Sequence, residues 1–125
     1  MEFLPVCLKL TDTPVVLVGG GTVATRKARL LLRAGANLTV VSPDISEDLE
    51  ALLAEHGGVW QKTCYRDVDL HGKKLVVAAT PHPSTNEQIF RDATALSMLV
   101  NVVDTPELCT FIFPSIVDRD PLVIA

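Results

Sequence analysis

Nothing in this sequence is spaced to hold a metal ion or a disulfide framework. Its three cysteines, Cys7, Cys64 and Cys109, are odd in number, far apart and free of C-x-x-C or zinc spacing. They read as buried thiols of a reducing compartment. Its three histidines, His56, His71 and His82, are scattered, with no cysteine or carboxylate cluster beside them, so no metal site is predicted. Basic charge is also in deficit. Eleven Lys and Arg against fifteen Asp and Glu give a formal charge of -4, which disfavours nucleic acid or an anionic membrane as partner. The N-terminal run Met1-Glu-Phe-Leu-Pro-Val-Cys-Leu-Lys9 carries an early acid and is broken by a proline and a lysine, unlike a signal peptide or a membrane span. The cytoplasm is the expected compartment. Repeats, low-complexity tracts and interdomain linkers are missing too, so a single compact unit is expected.

What the sequence does have is Pro14-Val-Val-Leu-Val-Gly19-Gly20-Gly21-Thr22-Val-Ala24, an apolar strand that empties through a glycine turn into an amphipathic helix. Gly19, Gly21 and Ala24 satisfy the relaxed G-x-G-x-x-G/A pattern. The first position makes the tight turn, the second lets the backbone approach a pyrophosphate, and the third packs helix on strand. Amides at the start of such a helix face an anion.

Apolar runs then alternate with helical patterns, the signature of a parallel sheet covered on both faces. The predicted strands are 15–18, 38–41, 59–63, 75–79 and 99–103, and the predicted class is α/β, a Rossmann-type doubly wound parallel sheet of order 3-2-1-4-5. Helix 22–34 turns Val23, Ala24, Ala28, Leu31 and Leu32 inward and stops at Gly35. Helix 45–55 buries Ile45, Leu49, Leu52 and Leu53. Ser84-Thr-Asn-Glu87 reads as a capping box that opens a third helix burying Ile89, Phe90, Ala93 and Leu96. The crossover between Thr63 and Leu75 is short and irregular. After Val103 the pattern changes: Cys109–Val117 and Leu122–Ala125 are strand-like and flank Asp118-Arg-Asp-Pro121, which predicts a C-terminal β-hairpin leaving the sheet. The final apolar run predicts either more chain or a pairing subunit.

Three segments carry a family resemblance: the glycine turn followed by Arg26-Lys-Ala-Arg-Leu-Leu-Leu32, the strand ending Asn101-Val-Val-Asp104, and Pro106-Glu-Leu-Cys-Thr-Phe-Ile-Phe-Pro-Ser-Ile-Val-Asp-Arg-Asp-Pro-Leu122. Together they resemble the N-terminal module of sirohaem synthase, the precorrin-2 dehydrogenase and sirohydrochlorin ferrochelatase family. The resemblance implies an NAD-binding Rossmann domain over residues 1–113 and the start of a dimerisation segment over 114–125, in a chain truncated from a longer homodimeric protein. It implies NAD+ as hydride acceptor from the tetrapyrrole precorrin-2, followed by insertion of ferrous iron, as a substrate, into sirohydrochlorin. It also implies cofactor contacts at Thr22, Val23, Pro43 and Asp44, beside Gly19 and Gly21, with Thr80 near the nicotinamide.

Asp104, at the end of the last parallel strand, is the candidate acid/base group, because ligands of open α/β sheets gather outside the carboxyl ends of the strands. An ordinary aspartate, with a pKa near ~3.9, is a feeble base, so that role requires burial or the substrate's own carboxylates. The competing role is a turn ahead of Thr105-Pro106. Asp44, 23 residues beyond Gly21, is placed either to bond a ribose or, in Asp44-Ile-Ser-Glu47, to cap a helix. No arginine follows the strand to receive a 2′-phosphate, which favours NAD over NADP. Arg26, Lys27 and Arg29 either meet the substrate carboxylates or form a solvated helix face. Arg119 and Asp118 are placed to meet substrate or a partner subunit. His82 is either an iron-handling group or a loop histidine, and Pro81-His82-Pro83 departs from the acidic residues common there in the family. A regulatory NAD-sensing module is the rival reading. An ordinary alcohol or acid dehydrogenase would need a Ser-Tyr-Lys set or a catalytic histidine, and neither is found.

Overall fold

The computed structural model describes residues 2–114 and, for the backbone alone, Val117–Arg119 and Leu122–Ile124. Five strands, β1 (Pro14–Val18), β2 (Asn37–Val41), β3 (Val59–Gln61), β4 (Leu75–Ala78) and β5 (Leu99–Val102), form one parallel sheet in the order β3-β2-β1-β4-β5. Val18 at the end of β1 stands level with Val41 of β2 and Ala78 of β4, so the three central strands finish together.

The apolar strands alternate between two cores. Val15, Leu17, Leu38, Val40, Leu75 and Val77 face α1 (Thr22–Arg33) and α2 (Glu47–His56). Val16, Val18, Val41, Val76, Ala78, Val100 and Val102 face α3 (Pro83–Ala95) and the short 3-10 turn Asp67–Leu70. Burial on both faces is why β1 and β4 read as unbroken hydrophobic runs. The predicted strand order and doubly wound class match the structure.

Several local expectations are corrected. Thr25 is buried in α1 whereas Val23 is half-exposed, because the hydroxyl of Thr25 has polar partners behind the glycine turn. In α3 the capping box at Ser84–Glu87 does not form. The helix starts one residue earlier, with Pro83 in its first turn and no side-chain cap, and Asn86 is engaged elsewhere. Leu96 is 50% exposed, since the helix ends and Ser97, at φ 57, turns the chain so that Met98 enters the core instead. Strands β3, β4 and β5 end at Gln61, Ala78 and Val102, short of their predicted bounds. The cysteines are not buried thiols: Cys7 and Cys64 are exposed and Cys109 is half-buried.

Strand β5 lies at one edge of the sheet, and its outward backbone groups are taken by the segment that follows it. Thr110 donates its N–H to the Val100 carbonyl at 2.8 Å, and its Oγ1 accepts the Val100 N–H at 2.8 Å. Cys109 Sγ accepts the Val102 N–H at 3.3 Å. Asn101 donates from Nδ2 to the Phe111 carbonyl at 3.0 Å, and Phe111 and Phe113 pack against the α1 side of the core. Beyond them, β6 (Val117–Arg119) and β7 (Leu122–Ile124) pair antiparallel, with Val117 opposite Ile124. The predicted strand over Cys109–Val117 and turn over Asp118–Pro121 are shifted, since residues 109–114 form no strand while Asp118 and Arg119 belong to β6; Asp120-Pro121 and the side chains of Asp118 and Arg119 lie outside the described residues.

Candidate cofactor and active site

A cleft of about 900 Å³ opens at the carboxyl ends of the strands, and it gathers Gly19, Gly21, Thr22, Val23, Pro43, Asp44, Thr80 and Asp104. The position follows from topology. Chains leaving β1 and β4 diverge to opposite faces of the sheet there and leave a crevice.

The glycine turn is shaped by three different demands. Gly19 has φ 129, and a β-carbon on it would overlap the Ala79 carbonyl. Gly20, to which sequence reasoning gave no role, is pressed against the loop after β2, and a β-carbon there would overlap the Asp44 carbonyl. At Gly21 a β-carbon would meet no protein atom within 4 Å, so the backbone is bare toward the cleft.

The carbonyls of the turn are held from behind. Ser46 N donates to Gly20 O at 2.8 Å, and Thr25 donates to Gly21 O from both N, at 2.9 Å, and Oγ1, at 2.7 Å. Ser46 Oγ lies 2.8 Å from Thr25 Oγ1 and accepts the Leu49 N–H at 3.0 Å. One Thr25–Ser46 pair therefore ties the glycine turn to the start of α2. No side chain caps α1 and no acidic residue stands in its first turn, which leaves its N-terminal amides and positive dipole end for an anion.

Asp44 is not a helix cap. Ser46 fills that position, so the competing reading of Asp44-Ile-Ser-Glu47 is set aside. The Asp44 side chain is exposed at the cleft wall with no partner among the described residues. Its loop is held by Ser42 Oγ donating to Asp44 O at 2.6 Å and by Trp60 Nε1 donating to Ser42 O at 2.9 Å.

Across the cleft, Thr80 is locked by Asn86. Thr80 Oγ1 donates to Asn86 Oδ1 at 2.7 Å, Thr80 N donates to the same oxygen at 3.3 Å, and Asn86 Nδ2 donates to Thr80 O at 3.1 Å. Sequence reasoning missed this clasp because Asn86 was absorbed into a capping box. His82 also lines the cleft and is exposed. No group of three or more metal-ligating side chains occurs among the described residues. Tyr65 forms part of the wall, and its hydroxyl donates to Asp92 Oδ2 at 2.7 Å. Burial first, then that carboxylate, hold its phenol well above the ordinary tyrosine range.

Asp104 is exposed and sits at φ 59, inside a turn closed by Thr105 N donating to Val102 O at 3.2 Å. The turn expected of it is present, and it aims the residue at the cleft. A left-handed conformation is tolerated by aspartate better than by most residues. Of the three cations of α1 singled out in the sequence, Lys27 lies 4.4 Å from the Phe113 ring centroid, a cation–π contact, while Arg26 and Arg29 are exposed.

Residues 6–115 match the model of a family described as "Putative NAD(P)-binding". Over 100% of its length the chain is 54% identical to the siroheme synthase of Pseudomonas putida, of which it covers 27%. Over 99% of its length it is 48% identical to the siroheme synthase of Psychrobacter sp., of which it covers 26%. The chain thus spans about a quarter of the length of these curated relatives. A solved structure named "SirC, precorrin-2 dehydrogenase" aligns with a TM-score of 0.85 at 28% identity, over 98% of this chain and 60% of that one. No helix among the described residues is long and apolar enough to cross a membrane. From the glycine turn to the segment that closes the edge of β5, the matched span takes in every wall of the cleft, and the chain belongs to this NAD(P)-binding family.

Proposed function

We propose that this chain is the NAD+-dependent dehydrogenase unit that oxidises precorrin-2 to sirohydrochlorin. The observation that carries the reading is the convergence of the glycine turn, Asp44, Thr80 and Asp104 on one cleft, in a chain similar over nearly its whole length to a precorrin-2 dehydrogenase.

The residues fit a dinucleotide. The bare backbone at Gly21 and the uncapped start of α1, with Thr22 and Val23, suit a pyrophosphate, and Pro43 and Asp44 stand where the adenosine ribose would lie. The uncommitted carboxylate of Asp44 favours a free 2′-hydroxyl, hence NAD+ over NADP+. When bound, the nicotinamide accepts the hydride. Thr80, fixed by Asn86, borders that end of the cleft, and Asp104 takes the proton that must also leave the macrocycle. Asp104 is exposed at the cleft wall, open to a bound tetrapyrrole and its carboxylates.

The same proposal extends to ferrous iron insertion giving sirohaem, with Asp104 as the shared acid/base group and the iron as substrate. It places the Rossmann domain at 1–113, a dimerisation segment from 114 onward, and the protein as a cytoplasmic homodimer. These parts rest on the similarity to siroheme synthases.

The test uses the full-length protein, made anaerobically, with enzymatically generated precorrin-2 and NAD+, comparing wild type with Asp104→Ala. Wild type forming NADH and sirohydrochlorin while the variant binds NAD+ and forms neither supports the reading. Wild type binding NAD+ but leaving precorrin-2 untouched overturns it in favour of a nucleotide-sensing module.

A further inference from the structure

We infer that Cys109 is a positioning residue for Asp104, acting through the backbone on both sides of it. The inference rests on the reading of Asp104 as the acid/base group.

The turn that presents Asp104 is closed by two bonds from one residue, Thr105 N to Val102 O and Thr105 Oγ1 to Val103 O, each at 3.2 Å. It projects from the edge strand of the sheet, so no neighbouring strand holds it on the outer side. Cys109 Sγ fills that place. The sulfur accepts the Val102 N–H at 3.3 Å, and its own S–H reaches two carbonyls, Val102 O at 3.2 Å and Thr105 O at 3.3 Å. One atom therefore touches the residue two before Asp104 and the residue just after it. A side chain at φ 59 with an exposed carboxylate has little packing of its own, so this backbone clamp sets where the carboxylate points.

The sulfur is itself held in place. The 3-10 turn Pro106–Leu108 delivers Cys109, whose N–H returns to Pro106 O at 3.1 Å, and the next residue, Thr110, is fastened to Val100 by two bonds of 2.8 Å. The clamp needs the neutral thiol, because a thiolate would have no proton to donate. Burial, the leading influence, raises the Cys109 pKa and favours that form.

The experiment measures kcat, both KM values and thermal stability in the full-length protein for Cys109→Ala, Cys109→Ser, Leu75→Val and Asp104→Asn. Misplacing a reacting group by about 1 Å costs up to about 100-fold in rate. Cys109→Ala should lower kcat about tenfold or more with the KM for NAD+ within about twofold, and Cys109→Ser, which keeps a donor and an acceptor, should recover most of it. Leu75→Val, which thins the core at the first residue of β4, the opposite end of the sheet from the cleft, should lower the melting temperature and leave kcat unchanged. If Cys109→Ala does not fold, Cys109→Val substitutes for it, since that residue suits the extended backbone at φ -123, ψ 133, fills the space and removes both hydrogen-bonding roles. Wild-type kcat in the folded Cys109 variants overturns the inference while leaving the role of Asp104 standing. Wild-type kcat in Asp104→Asn overturns the reading of Asp104 itself.

Discussion

Gly19 at the end of β1 and Ala79 just past β4 come so close that a β-carbon on the first would overlap the carbonyl oxygen of the second. Two positions along, Gly21 faces open space. The two glycines therefore meet different surroundings, one closed in by the fold and one open to the cleft. Gly19→Ala, at φ 129, should destabilise the protein by about 2–4 kcal/mol, seen as a large fall in the urea midpoint. Gly21→Ala should melt within a few degrees of wild type yet bind NAD+ about tenfold more weakly by calorimetry. Equal losses of stability in both variants would sink the distinction.

Asp44 is expected to act on the cofactor alone. Its side chain supports no helix cap, so Asp44→Ala should leave the melting temperature unchanged and weaken NAD+ by about 1.5–3 kcal/mol, the range for a hydrogen bond to a charged group. The single tryptophan, Trp60, is bonded to the carbonyl of Ser42 in the same loop, and its fluorescence gives the binding curve directly. Unchanged affinity in the variant would remove Asp44 from the site.

Asn86 and Thr80 test the opposite wall. Asn86→Ala deletes the three bonds between Asn86 and Thr80, leaving only those of Thr80 to His82, and should reduce stability by about 1–2 kcal/mol. It should also reduce kcat/KM for precorrin-2 oxidation, and Asn86→Asp, which retains the acceptor, should lie between. A variant with wild-type kcat/KM would show that Thr80 needs no such support.

Tyr65 provides a pH test with a definite sign. Its phenol titrates higher in the folded chain than its ordinary value near ~10. The neutral form is thus favoured by folding, and this contribution is fully present below pH ~10 and is lost as the pH rises above it. Between pH 9 and 11 the urea midpoint of wild type should fall more steeply than that of Tyr65→Phe, a window set by that ordinary value. Parallel slopes would contradict the burial and the Asp92 bond that cause the shift.

Ser97 predicts a gain. It ends α3 at φ 57, and the chain closes there through Met98 N to Ala93 O at 2.9 Å and Ser97 N to Thr94 O at 3.1 Å, the paired bonds of a helix end that suits glycine. Ser97→Gly should stabilise by about 0.5–1 kcal/mol, measured as a rise of a few degrees in melting temperature.

The sheet was legible because its information is local and periodic. Unbroken runs such as Val15–Val18 and Leu75–Ala78, separated by helical patterns, specify parallel strands buried on both faces, and Gly19, Gly21 and Ala24 mark the turn. The cleft followed from the strand order. What was not legible depends on contacts between residues distant in sequence. Thr25 looks like an ordinary helix residue until Ser46, 21 positions later, meets it. Gly20 carried no role until the Asp44 carbonyl was seen against it, and Asn86 was spent on a cap because its bond to Thr80 spans a turn that no pattern encodes. Cys109, read as a buried thiol from composition, serves as a half-exposed backbone partner, a use for which cysteine has no sequence signature.

The bonds from Cys109 and Thr110 to β5 have one more consequence, for assembly. A bare edge strand is a template on which another chain adds itself, in aggregation as well as in docking. Here Val100 and Val102 already have their outward groups occupied by two side chains and two amides, those of Thr105 and Thr110, that imitate a sixth strand without being one. The sheet is finished on that side before any second subunit arrives. A partner must recognise side chains there rather than extend the ladder, and Thr110→Val, which removes the hydroxyl half of the imitation, is predicted to reopen the edge and make the protein prone to self-association on warming.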